Sequence, residues 1–163
     1  MNYVFQQTIV RMVFGIGMAT VILVPTQGQY LLFLDSDDEL ESNALHCYQE
    51  ACEDGRYDVI IGSLVGIEGG EQSYKIGIDQ RISAGNEIWE KICIDSSIFG
   101  YAGGKMVRTA IVQKENLAFN PNMRSQEDLD FLLSCYGFCE KFRMIPEPVY
   151  RYYYTLSARF PPF

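Results

Sequence analysis

Tyr30 to Leu34 (YLLFL) is an unbroken apolar run, preceded by Gly28 and followed at once by Asp35, Ser36, Asp37, Asp38 and Glu39. A short apolar run without alternation predicts a strand covered on both faces, as in a parallel sheet. Leu40, Ala44, Cys47, Tyr48 and Ala51 then recur at helical spacing. The acidic residues ahead of them predict a helix whose first turn is acidic, as the macrodipole favours, and Asp54 and Gly55 close it. Tyr57 to Ser63 (YDVIIGS) predicts a second strand. Strand, helix and strand within about 35 residues make a βαβ unit.

The remaining pattern extends this alternation. Gly66 to Gly77 is polar and glycine-rich, which predicts a hairpin or loop. Ile88, Trp89, Ile92 and Cys93 mark a short amphipathic helix within Asn86 to Ile94. Phe99 to Lys105 (FGYAGGK) is turn-rich, Thr109 to Asn116 is helical in pattern, and Asn120, Pro121 and Asn122 form a turn. Ser125 opens a strong helix with Leu129, Leu132, Leu133, Tyr136 and Cys139 along one face. Pro146 and Pro148 lead into a tyrosine-rich strand from Val149 to Thr155. The sum is a single α/β domain spanning residues 1–163, without internal repeat, low-complexity segment or linker.

The N-terminal residues 1–27 stand apart. From Met12 to Leu34 there is no charged side chain, but Pro25, Thr26, Gln27, Gly28 and Gln29 interrupt the run. The apolar block from Met12 to Val24 is short for a membrane span, and no small-x-small cleavage site follows it.

Composition excludes several function classes. With 163 residues, 48% of them apolar and 21% charged, the chain is neither disordered nor fibrous. Thirteen basic against 21 acidic residues give a net charge of −8, which repels phosphate backbones and argues against nucleic-acid binding. An anionic small ligand meets the same field unless a cation reverses it locally. The five cysteines, Cys47, Cys52, Cys93, Cys135 and Cys139, include no C-x-x-C, so neither a disulfide framework nor a zinc ribbon is indicated. The single histidine, His46, excludes a multi-histidine metal site and, with no G-x-S-x-G, speaks against a Ser-His-Asp triad.

Two acidic segments can carry chemistry. Asp35, Asp37 and Asp38 crowd the C-terminal end of a buried strand, where mutual repulsion and lost solvation are relieved by a divalent cation. Open α/β sheets bind ligands beyond that end of their strands, so a Mg²⁺ or Mn²⁺ site carrying a diphosphate is one reading. The other is local: Ser36-x-x-Glu39 has the form of a capping box. An EF-hand fails, because its sixth position is Leu40 and its twelfth His46. The second segment is Gln126-Glu127-Asp128, whose carboxylates at a helix start can supply a general base. Ser125 and Asp128 also have capping-box spacing, and locally that reading is the stronger.

Taken together the segments resemble family 2 glycosyltransferases, inverting nucleotide-sugar enzymes of the GT-A fold. Gly28 to Asp38 (GQYLLFLDSDD) is similar to the family's G-x-Y-hydrophobic-D-x-D-D segment, and Gly104 to Arg108 (GKMVR) resembles its G-K-L-Y-R. Phe119 with Gln126 to Phe131 (QEDLDF) resembles its F…x-E-D-x-x-F, and Pro146 to Tyr154 with Ser157 its late P-x-x-Y-Y-Y…S strand. The resemblance implies a mixed sheet flanked by helices. It implies that Asp37 binds Mn²⁺ or Mg²⁺ and that Asp35 lies near the nucleotide's ribose, with Asp38 and Lys105 also on the substrate side. Asp128 would be the general base, with Glu127 supporting the acceptor or orienting the base. Tyr152, Tyr153 and Tyr154 would line the acceptor side or pack in the sheet.

The implied partners are a nucleotide-sugar donor and a saccharide or lipid-linked saccharide acceptor, in synthesis of a cell-surface glycan. The implied location is cytoplasmic, with peripheral association at the inner face of the membrane. The family's first strand-helix-strand unit is expected to be missing, since only 34 residues precede Asp35. Gly15-Ile16-Gly17-Met18-Ala19 resembles a family G-x-G-x-A but continues into an apolar run instead of R-N-x-G. The sheet is then expected to leave Tyr30 to Leu34, or its neighbour, as an edge. Two alternatives follow: an inactive truncated remnant of such an enzyme, or a divalent-metal-binding α/β domain without transferase activity.

Overall fold

The computed structural model describes residues 10–13, 28–35, 37–52, 57–77, 88–90, 100–123 and 125–154. They form one mixed sheet with helices on both faces. Its strands are β1 (Val10–Val13), β2 (Tyr30–Asp35), β3 (Glu39–Leu40), β4 (Val59–Glu68), β5 (Glu71–Ile76), β6 (Lys105–Arg108) and β7 (Phe142–Tyr153). The helices are α1 (Ala44–Cys52), α2 (Thr109–Lys114) and α3 (Glu127–Tyr136). The sheet order is β1-β2-β6-β4-β7-β3, with β5 hydrogen-bonded to the outer half of β4.

Direction matters for the site. β1 runs parallel to β2, and β7 parallel to β4. The short β6 is antiparallel to both β2 and β4 and lies between them. The predicted strand-helix-strand unit therefore exists, but its two strands are separated by β6. The start of β6 meets the C-terminal end of β2, so Lys105 and Asp35 are brought to one side of the sheet. β1 pairs along Leu32 to Asp35, so the neighbour of β2, not β2 itself, stands at that edge among the described residues.

Alternation along the strands builds two cores. Val59, Ile61, Val107, Phe142 and Met144 face α2 and α3 and pack with Val112, Phe131, Leu132, Cys135 and Tyr136. Tyr30, Leu32, Ile60, Met106, Ile145 and Val149 face α1 and pack with Ala44, Tyr48 and Ala51. The four described cysteines are free, and burial pushes the Cys135 and Cys139 thiols up, so both behave as core side chains.

Several expectations need correction. The first helix begins at Ala44, not Leu40, and has no acidic residue in its first turn, because Glu39 and Leu40 pair with Arg151 and Tyr150 as β3. Glu39 therefore caps nothing, and Ser36 lies outside the described residues. The strand predicted over Tyr57 to Ser63 continues to Glu68 and turns back at Gly69 and Gly70 into β5. Both turn glycines have positive φ, which the hairpin requires. Lys105 to Arg108 is a strand, and the last strand begins at Phe142, seven residues before the predicted start. Its prolines are absorbed where the β4–β7 register shifts: Gly62 faces Ile145 and Ser63 faces Pro148, so Pro146 and Glu147 sit outside the pairing. Of the helix predicted over Asn86 to Ile94, only Ile88 to Glu90 are described, and these are helical.

Candidate functional site

Asp35 closes β2, and beside it the turn 100–104 leads into β6, with Gly103 bridging to Phe33. β7 passes beneath this turn with Tyr150. A Cβ at Gly103 would lie 2.5 Å from the Tyr150 ring, so only glycine lets the backbone come this close. The buried Tyr150 hydroxyl then joins two neighbouring residues of the acidic segment. It donates to Asp38 Oδ2 at 2.7 Å and accepts the Asp35 N–H at 3.2 Å. Asp38 Oδ1 accepts the Tyr153 N–H at 2.8 Å. Both oxygens of the buried Asp38 are thus held by β7, contacts that local sequence does not reveal. Burial raises its pKa, while the two hydrogen bonds oppose the rise.

Asp128 reaches the same turn from α3. Its Oδ2 accepts the Ala102 N–H at 3.0 Å. The residue before the helix is Gln126, not Ser125; it has no side-chain capping bond and sits in the left-handed region at φ 61°. Three rings fix the helix here. Phe119 and Phe131 stack at 4.2 Å, and Phe33 of β2 meets each edge-on, at 5.7 and 5.4 Å. The two phenylalanines that carried the sequence resemblance therefore dock the start of α3 against β2.

One electrostatic field covers both acidic segments. Burial by the surrounding chain pushes the Asp35 carboxyl up to about 6, although the residue keeps solvent access, and Asp128, Asp38, Asp37 and Glu127 push it further in the same direction. Asp128 is also raised, first by burial and then by Glu127, while the Ala102 N–H and Lys105 work against the rise. Lys105 is buried, 1% exposed, with Nζ donating to Gly103 O at 3.4 Å. Burial pulls its ammonium down to about 7, and the Asp128 charge partly offsets this. Asp37 is exposed.

Asp35, Asp38, Lys105, Glu127 and Asp128 thus assemble around one turn, with Asp37 on its solvent side. Among the described residues no three acidic, histidine or cysteine side chains form a metal-holding group by themselves. Tyr150 and the Ala102 N–H were missed from sequence. The glycine pair Gly103-Gly104 was the available signal for a close backbone approach, but it does not say to what.

The mixed α/β sheet thus gathers carboxylates beyond the C-terminal end of β2. The family model for glycosyl transferase family 2 matches residues 24–114, and the chain belongs to that family. The poly(ribitol-phosphate) beta-glucosyltransferase of Bacillus spizizenii is 23% identical over 131 residues, covering 80% of this chain and 19% of its own length. TarP of Staphylococcus aureus, a poly(ribitol-phosphate) beta-N-acetylglucosaminyltransferase, is 32% identical over 115 residues, covering 67% of this chain and 33% of its own. The crystal structure of S. aureus TarS residues 1–349 superposes with a TM-score of 0.64 at 19% identity, over 77% of this chain and 36% of that one. The fold is therefore that of the matching part of TarS. The chain spans between about a fifth and a third of the length of these curated relatives.

Proposed function

We propose that this chain carries the metal and general-base half of an inverting glycosyltransferase that moves a sugar from a nucleoside-diphosphate donor to a hydroxyl acceptor in cell-surface glycan synthesis. The observation that carries the reading is the convergence of Asp35 and Asp128, 93 residues apart in sequence, on one turn within each other's field. Structural carboxylates are normally separated or paired with cations, and crowded ones mark a site that needs a cation or a proton. The crystal structure of TarS in complex with UDP-GlcNAc supports a uridine diphosphate donor.

Mn²⁺ or Mg²⁺ fits the donor set. Such ions take one or two carboxylates and complete their shell with substrate phosphate and water, and the exposed Asp37, whose charge acts on Asp35, offers such a carboxylate. Asp37 would hold the ion, with Asp35 beside the ribose. When bound, the ion supplies neutralisation of the departing diphosphate. Asp128 takes the proton from the acceptor hydroxyl. The freed oxygen forms a bond to the anomeric carbon as that carbon's bond to the diphosphate oxygen breaks, the electron pair leaving with the diphosphate. One displacement inverts the centre. Glu127 supports the acceptor, Asp38 holds the turn in register through Tyr150, and Lys105, beneath the turn, biases Asp128 toward the carboxylate that a base must be. A cytoplasmic location at the inner face of the membrane accords with this reading, and no described helix is long and apolar enough to cross a membrane.

Calorimetric titration of the chain with uridine diphosphate, with and without Mn²⁺, tests the donor side. Binding that requires Mn²⁺ and disappears in Asp37→Ala is expected. A folded chain that binds neither overturns the reading in favour of an inactive remnant, and Mn²⁺ binding indifferent to uridine diphosphate favours a metal-binding domain without transferase activity.

A further inference from the structure

Tyr150 touches both turns of the site. One is the acidic turn, in which the Asp38 N–H donates to Asp35 O at 3.2 Å. The Tyr150 hydroxyl donates to Asp38 Oδ2 at 2.7 Å at one end of it and accepts the Asp35 N–H at 3.2 Å at the other. The second turn lies over the ring, where a Cβ at Gly103 would come within 2.5 Å of Tyr150 Cζ and a Cβ at Gly104 within 3.3 Å of Tyr150 Cβ. This turn is closed by the Lys105 N–H, which donates to Ala102 O at 3.2 Å, and its Ala102 N–H holds Asp128. The tyrosine between the two turns is itself fixed. Its backbone pairs with Leu40 of β3 on one side and Leu64 of β4 on the other.

Burial in this core does not by itself demand such bonding. Tyr48 shares the core with Tyr150, and each is 2% exposed, yet the Tyr48 hydroxyl has no hydrogen-bond partner among the described residues. The Tyr150 hydroxyl instead uses both its donor and an acceptor site on the acidic turn. Asp37 lies between the two residues held in this way. Hydrogen bonds behind a ligating carboxylate decide where it points, and losing one weakens metal binding by about 10- to 100-fold. Spacing between reacting groups is as sensitive, since a misplacement of about 1 Å costs about a hundred-fold in rate.

We infer that Tyr150 is a positioning residue that locks the turn carrying Asp37 to the turn that holds Asp128, so that the cation-binding carboxylate and the general base keep one spacing. The inference rests on the transferase reading and adds a residue that acts through Asp35, Asp38 and Gly103. The hydroxyl and the ring have separable tasks. Removing the hydroxyl frees the acidic turn at both ends, while the ring still supports Gly103.

The test is a calorimetric titration with uridine diphosphate at stepped Mn²⁺ concentrations, for the unaltered chain, Tyr150→Phe and Tyr48→Phe, with folding checked by circular dichroism. In Tyr150→Phe the Mn²⁺ concentration that gives half-maximal binding is expected to rise about 10- to 100-fold, and affinity for uridine diphosphate to return to the parent's at saturating Mn²⁺. Tyr48→Phe removes an equally buried hydroxyl from the same core and is expected to leave the Mn²⁺ requirement unchanged. Without any ligand, the Asp35 amide of Tyr150→Phe should shift in the ¹H–¹⁵N spectrum and exchange its hydrogen faster, while the Ala102 amide stays in place. An unchanged Mn²⁺ requirement in folded Tyr150→Phe, or an equal rise in Tyr48→Phe, overturns this inference alone. A Tyr150→Phe chain that does not fold overturns it in favour of a purely structural role. An unaltered chain that binds no uridine diphosphate at any Mn²⁺ concentration overturns it together with the transferase reading.

Discussion

The carboxylate of Asp35 should cost this fold stability at neutral pH, and Asp35→Asn should recover it. Its pKa rises from an ordinary 3.8 to about 6, first through burial and then through the charges of Asp128, Asp38, Asp37 and Glu127. The folded protein therefore binds a proton more tightly than the unfolded chain does. A penalty absent below pH ~4 grows between pH ~4 and ~6 and is complete above pH ~6. For a group wholly withdrawn from water the displacement is equivalent to roughly 3 kcal/mol. Asp35 keeps solvent access, so screening reduces this to about 1 kcal/mol. Urea denaturation at pH 7.5 and pH 4.5 is the assay. Asp35→Asn is expected to be about 1 kcal/mol more stable than the parent at the higher pH and to keep only about a third of that gain at the lower one. Millimolar Mn²⁺ should narrow the gap at pH 7.5 by stabilising the parent. A variant less stable than the parent at pH 7.5, or a gain independent of pH, would refute the electrostatic origin of the crowding.

Other expectations rest on separate contacts. Tyr150→Phe removes the hydroxyl that serves Asp38 and the Asp35 N–H, and should cost about 1–3 kcal/mol in chemical denaturation. Gly103→Ala drives a Cβ into the Tyr150 ring and should lower the thermal midpoint at a cost of about 1–3 kcal/mol. Lys105→Met replaces a buried amine whose pKa has fallen to about 7, so protonation opposes folding most below pH ~7 and less as pH approaches ~10. The variant should be more stable by about 2–4 kcal/mol at pH 6, and the gain should shrink at pH 9.

Much of the fold was legible because it follows local rules. YLLFL and YDVII mark their strands, Leu129 to Tyr136 mark α3, and the glycine-rich stretch from Gly66 to Gly77 marks a hairpin or loop, which the structure resolves as a hairpin. What stayed hidden depended on distant partners. Lys105 to Arg108 is too short to show periodicity and is a strand only because β2 and β4 flank it. Glu39 and Leu40 look like the start of a helix until β7 pairs with them. Pro146 and Pro148 argue against a central strand, and only the shifted register with β4 accommodates them.

The acidic segments show the same division. Ser125 and Asp128 have the spacing of a cap, and that spacing cannot reveal that the Asp128 carboxylate is claimed by Ala102. The spacing of Asp38 from Asp35 and Asp37 likewise cannot reveal that its oxygens accept from Tyr150 and Tyr153, more than a hundred residues away in sequence. Tyr101 gives no signal in the sequence, because the ring it meets, Tyr152, comes from β7.

If Asp128 is the base for sugar transfer, transfer itself reports it most directly. The chain is incubated with Mn²⁺, anomerically labelled UDP-GlcNAc or UDP-glucose and poly(ribitol phosphate), the polymer named for its relatives, and product is read by NMR for amount and anomeric configuration. A β-linked product from the α-linked donor is expected, with Asp128→Asn slowing its formation by about 10²- to 10⁴-fold while the variant still binds uridine diphosphate. Transfer undiminished in Asp128→Asn, or a product that retains the donor's configuration, would contradict the assignment.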